Sequence, residues 1–235
     1  MNPADIRAEL EDELEWRLEE MRFFKNQLTD LRTESQRDRH RRALVVMLYA
    51  HFEGFWSAAF SIYVKAINTE AIFCKDATPS LVAASLFDLF AGLSDHQKKH
   101  PFFRSTAPND SKLHQIHRQV EFLSQLPEME TTKVNIRAER VIDPESNLKP
   151  DVIRKNLFRL GFQHDMFKAH EGTVHQLLNK RNSVAHGSTR QGIEAEEYNK
   201  LESAVLEIMD DLVKLLFESL RRKVYLRHPD QTPSE

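Results

Sequence analysis

Arg181-Asn182-Ser183-Val184-Ala185-His186-Gly187 carries the residue types with which a protein cleaves RNA unaided by a metal. Arginine clamps a phosphate through two parallel hydrogen bonds. Histidine moves a proton near neutral pH. The stretch ends an apolar-patterned segment, and no other cluster in the chain offers comparable chemistry. On an α-helix Asn182 and His186 are four apart and share a face. Arg181 lies about 100° round from Asn182, because a turn takes 3.6 residues. Arg181 and His186 therefore converge in one of two ways. Either the helix loosens at its end, beside Gly187, or a second copy of the segment faces the first.

Other candidates carry less. Glu53 stands in an apolar stretch, and a buried carboxylate needs a partner. It pairs with Arg181 or His186 and orients the site, or it bonds a backbone group or a nearby tyrosine. His96 with His100, and His114 with His117, have helical metal-ligand spacing. Each pair supplies two ligands with no evident third, so they read as surface histidines, and no metal or cofactor is expected. Arg37 to Arg42 reads as a solvated helix start rather than a phosphate grip. Phe102-Phe103 reads as a loop anchor rather than a base-stacking platform.

The elements that must position these residues are helical. The chain has 235 residues, 40% hydrophobic and 29% charged, with only six glycines and nine prolines. Scarce turns and long periodic runs predict an all-α fold. A single cysteine, Cys74, excludes an internal disulfide and a cysteine-rich zinc site, and fits a reducing cytoplasm. The net charge of -3 excludes a general nucleic-acid binder, although acidic Asp5–Glu20 and the basic runs 37–42 and 221–223 segregate the charge. The apolar run 43–64 is broken by His51 and Glu53 and reads as a core helix rather than a membrane span. The N-terminus lacks the basic-then-apolar pattern of a secretory signal. A cytoplasmic protein is expected.

Asn2-Pro3 predicts an N-cap and first turn. The helix that follows spaces Leu10, Leu14, Met21, Phe24, Leu28 and Leu31 as a short coiled-coil seam, a hairpin arm, or a helix lying on the domain, with Arg17 as the interruption. Ser35 is placed as the cap of a long helix to about Ile72. A shorter helix runs from Pro79 to Gly92, and another from Asp110 or Ser111 to just before Pro127. Residues 127–149 contain the alternating Lys133–Ala138 and predict an exposed extended or hairpin excursion. Helices then span Pro150–Leu160, about Asp165–Ala185 with Val174, Leu177, Leu178 and Val184 buried, and about Ala195–Tyr225. A polar tail closes the chain.

At this point the residues resemble the HEPN superfamily. Its motif is arginine, a polar residue, a few more, then histidine, as in Arg181-Asn182-x3-His186. Leu48-Tyr49-Ala50-His51-Phe52-Glu53-Gly54 is similar to an early helix of the MAE-like and RiboL-PSP-like branches. So is Glu145-Ser146-Asn147-Leu148-Lys149-Pro150, followed by a helix ending Leu160-Gly161-Phe162. The resemblance covers roughly residues 40–220. With the periodicity it divides the chain into an N-terminal helical extension (1–34), a HEPN-like helical domain (35–225) and a disordered tail (226–235). It implies a homodimer acting as a metal-independent endoribonuclease, of the kind found as toxins and antiphage-defence effectors. Arg181 and His186 are then the catalytic pair, Asn182 their polar companion and Glu53 a supporting residue. RNA is the substrate, a cognate antitoxin or defence partner is implied, and no membrane is. The alternative within the resemblance is a non-catalytic dimerisation or regulatory module.

Overall fold

The computed structural model describes residues 2–104, 110–142, 147–188 and 190–227. Among these residues it has nine α-helices and no strand. In chain order they are α1 (Pro3–Asn26), α2 (Glu34–Thr69), α3 (Pro79–Ser85), α4 (Phe87–Ser94), α5 (Ser111–Met129), α6 (Ala138–Val141), α7 (Pro150–Arg159), α8 (Glu171–Ala185) and α9 (Ala195–Arg221). The all-α expectation is met.

α2 is the central element and packs against α1, α8 and α9. Its apolar residues occur on more than one face, so Leu48, Phe52, Phe55, Trp56 and Phe60 are all within 1% of complete burial. It is long and apolar enough to cross a membrane. Here its apolar surface is covered by the other helices. The capping residue is Thr33, not Ser35. Thr33 Oγ1 accepts from the Gln36 N–H, and Gln36 Oε1 accepts from the Thr33 N–H at 3.0 Å. This reciprocal box needs glutamine three residues on, and Thr33 has it.

α1 begins as its sequence requires, with Asn2 Oδ1 accepting from the Ala4 N–H at 3.1 Å. Of the three readings of its seam, the helix lying on the domain is the observed one: α1 packs on α2 and α9. Arg17, the interruption, is buried rather than expelled. Its guanidinium lies 4.2 Å from the Trp16 ring and 5.9 Å from that of Phe55, and it pairs with Glu13.

The remaining helices differ from the sequence expectation in local ways. The segment from Pro79 is two helices that meet at Leu86. α5 passes through Pro127 to Met129, capped at its start by Asp110. Residues 133–137 are extended, but they are not an exposed excursion and have no hairpin arm of their own. They pair across Phe73, with the Cys74 N–H donating to Thr132 O and the Val134 N–H to Ile72 O, both at 2.8 Å. Val134 and Ile136 are buried there, and Asn68 bonds both backbone groups of Ile136. The alternation recorded a half-buried strand-like edge whose partner follows α2. The expected disordered tail lies outside the described residues from 228 on. Leu226 and Arg227 are bonded back to the 76–78 segment.

Candidate active site

α8 delivers the motif, and it is anchored before it does so. Val174, Leu177 and Leu178 face the core. Glu171, its first residue, accepts from Arg154 Nε and Nη2 of α7, each at 2.6 Å. Lys180 Nζ lies 2.8 Å from Glu197 Oε1 of α9, and the same carboxylate accepts from Gln176. Val184, expected in the core, is only half-buried, because the last turn of α8 runs beyond the bundle and residues 185–188 are exposed.

The helix does not loosen at its end. His186 keeps helical dihedrals (φ −87°, ψ 0°) and its N–H bonds Asn182 O at 2.9 Å. Gly187 then turns to φ +66°. Its N–H reaches Val184 O at 3.1 Å and the Ser188 N–H reaches Ser183 O at 3.0 Å, which closes a Schellman turn. Five residues of regular helix leave Arg181 and His186 roughly 140° apart around the axis.

Arg181 turns to the protein. Its guanidinium carbon lies 4.7 Å from the centroid of the Tyr49 ring, and Nη1 donates to Asn182 Oδ1 at 2.8 Å and to Asn147 Oδ1 at 3.2 Å. His186 turns to solvent, and its side chain bonds no described residue. Within one chain the motif therefore offers one phosphate-binding group and one proton carrier on different sides of a helix end.

Glu53 forms no hydrogen bond or ion pair with Arg181 or His186. Its Oε2 accepts from the Tyr49 hydroxyl at 2.7 Å and from the buried Leu148 N–H at 3.2 Å, so the tyrosine-and-backbone alternative is the observed one. The Leu148 N–H also donates to Tyr49 Oη at 2.6 Å. Burial, with the Glu53 carboxylate beside it, holds the Tyr49 phenol well above its ordinary value, so it remains a hydroxyl and donates. Tyr49 and Asn147 are the site residues that motif spacing does not reveal. Tyr49 stands four before Glu53 on α2, and Asn147 stands 34 positions before Arg181.

The other candidates have structural work to do. Arg41 is buried, with Nη1 bonded to Glu34, Asp38 and Ile193 O. Arg37 bonds Glu34 and Leu28 O, so the basic run ties α2 to its surroundings. His114 Nδ1 accepts from the His100 N–H at 3.2 Å, and the His100 and His117 rings are 4.6 Å apart. Those histidines hold the 95–104 segment on α5. Among the described residues no group of three His, Cys, Asp or Glu side chains is placed to hold a metal ion. Phe103 packs on His100, while Phe102 is 69% exposed.

An all-α bundle with a long buried second helix and a late helix ending Arg-Asn-x3-His-Gly defines the class: a HEPN-type helical domain. The family comparison agrees. The HEPN_MAE_28990-like HEPN family matches residues 6–225, and the chain belongs to that family. The match takes in α1, which packs on α2 and α9. No curated protein and no solved structure gave a significant match.

Proposed function

We propose that the protein is a metal-independent endoribonuclease that works as a homodimer. The observation that carries this reading is one helix end that holds Arg181 on one side and leaves His186 exposed and unbonded on another. HEPN domains are often ribonucleases, which supports it.

The chemistry explains why two copies are needed. The 2′-oxygen attacks phosphorus as the P–O5′ bond breaks, leaving a 2′,3′-cyclic phosphate and a 5′-hydroxyl. The 2′-hydroxyl proton must leave, and the 5′-oxygen must gain one. One imidazole cannot comfortably do both in a single step. A two-fold pair of α8 ends supplies two His186 side chains, one as base and one as acid, and two Arg181 side chains for the phosphate. Asn182 positions Arg181, and Glu53 acts at one remove through Tyr49.

In this reading the protein is a cytoplasmic toxin or antiphage-defence effector, paired with a cognate antitoxin or defence partner. The experiment is cleavage of total RNA in EDTA with the 3′ ends mapped. Loss of cleavage in His186→Ala supports the nuclease. Absence of cleavage by the folded wild type on every RNA favours the non-catalytic dimerisation or regulatory module instead.

A further inference from the structure

The guanidinium of Arg181 has five hydrogens on three nitrogens. The two on Nη1 are taken by two asparagine carbonyl oxygens, Asn182 Oδ1 and Asn147 Oδ1. One face is covered by the Tyr49 ring. The Nε and Nη2 hydrogens bond no described residue, and that edge presents two parallel donors, the geometry that matches a phosphate. Both acceptors that hold Arg181 are neutral, so the full positive charge stays available.

The nearby carboxylate is kept out of this arrangement. Glu53 is one turn along α2 from Tyr49, yet its Oε2 is occupied by the Tyr49 hydroxyl and the Leu148 N–H. A carboxylate bonded to Arg181 would compete with a phosphate for the same edge. Tyr49 thus does three things from one side chain. Its ring supports the guanidinium, its hydroxyl engages Glu53, and its oxygen accepts from Leu148, which fixes the segment that carries Asn147.

We propose that Tyr49 and Asn147 are positioning residues that turn the Nε–Nη2 edge of Arg181 toward an RNA phosphodiester, with Glu53 acting through Tyr49. This deepens the nuclease reading and takes the identity of its ligand from it. An arginine at a half-exposed helix end otherwise spreads over many rotamers, and each immobilised rotamer must be ordered when the ligand arrives.

The test uses the full chain and the Arg181 Nε–H resonance, assigned by its loss in Arg181→Lys. The Tyr49 ring current displaces this resonance in the wild type. Tyr49→Leu returns it to the ordinary arginine range, whereas Tyr49→Phe, which keeps the ring, retains most of the displacement. Titration with a 2′-deoxy oligonucleotide, which has phosphates and cannot be cleaved, moves the resonance in the wild type. Tyr49→Leu and Asn147→Ala each require about tenfold more oligonucleotide, a loss of the size expected for one partly desolvated cation–ring or charged contact. Tyr49→Phe keeps the ring but releases Glu53 and Leu148, and recovers only part of that loss. Should Tyr49→Leu fail to fold, Asn147→Ala and Tyr49→Phe carry the comparison. A resonance unmoved in Tyr49→Leu, no response of the wild type to the oligonucleotide, or equal affinities in all variants overturns the proposal. If these readouts come out as expected and the wild type cleaves no RNA, the nuclease reading falls and the positioning role stands. If the wild type cleaves RNA and Tyr49→Leu cleaves it equally well, the positioning role falls and the nuclease reading stands.

Discussion

Replacing Arg181 by lysine keeps the charge and removes the fork. An ammonium is a point charge on one nitrogen and cannot present two parallel N–H groups to a phosphate. In the folded chain the substitution gives up the Nη1 bonds to Asn182 at 2.8 Å and Asn147 at 3.2 Å, together with the guanidinium contact 4.7 Å from the Tyr49 centroid. Hydrogen bonds to a charged group contribute about 1.5–3 kcal/mol each at their strongest. Arg181 is half-buried, one acceptor is its own neighbour, and the lysine recovers part of the contact. The net cost to the fold is then about 1 kcal/mol, or roughly 2–4 °C in Tm for a chain of this length. The transition state loses more. Removing a preorganised donor from a developing negative charge costs about 3 kcal/mol, on the order of a hundredfold in rate. Single-turnover cleavage of a defined RNA in EDTA, run beside thermal unfolding, measures both quantities. A rate within about threefold of wild type, where the oxyanion-type loss should be a hundredfold, refutes the assignment of Arg181 to the phosphate. A fall in Tm beyond about 8 °C shows instead that Arg181 is chiefly a structural residue.

His186→Ala should abolish cleavage while stability stays within about 0.5 kcal/mol, because the side chain is exposed and makes no bond among the described residues; substantial unfolding by the same variant contradicts this. Asn182→Ala should be milder than either, since the asparagine holds Arg181 and moves no proton, and equal loss in all three would count against that division of roles. Gly192→Ala should be strongly destabilising in thermal melts, because a Cβ there runs into the Asp38 side chain and lies 3.2 Å from its carbonyl carbon, where 190–193 crosses the start of α2; an unchanged Tm would mean the crossing relaxes freely. His51 should make the α1–α2 packing acid-sensitive. Burial lowers its value, Arg17 lowers it further, and Glu20, 2.9 Å from Nε2, opposes both. A depressed folded value means that the unfolded chain binds the proton more readily. The stabilisation is complete above the ordinary value of 6.5 and declines as pH falls through the lower folded one, so His51→Gln should shrink the Tm difference between about pH 7.5 and 5.5.

What the sequence determined by itself was local or periodic. Leu201, Val205, Ile208, Leu212 and Leu216 of α9 recur at helical spacing, and all are buried on one side of it. Asn2-Pro3 can cap and open a helix wherever that helix goes. Gly187 and Gly161 end α8 and α7 because a positive φ costs glycine least, and both have one. Arg181-Asn182-x3-His186 is a contiguous motif, so its chemistry could be read without knowing any neighbour.

Tertiary structure decided which side chains meet. Whether Glu53 served Arg181, His186 or a tyrosine depended on the rotation of α2 against α8, and a helical period fixes a face without fixing what that face touches. Asn147 reaches Arg181 only because Leu148 is buried against Tyr49 from a different helix. Thr33 rather than Ser35 caps α2, since two nearby hydroxyls compete and the one with glutamine at the third position satisfies two backbone groups at once. The alternation at 133–137 announced an extended edge, but an edge's partner is a property of the fold, and here it is Phe73, some sixty residues earlier. Arg17 interrupted an apolar seam, and Arg41 belonged to a run read as a solvated helix start. They are buried because a guanidinium can stack on rings and bond several oxygens at once, which compensates desolvation only when the chain brings those partners together.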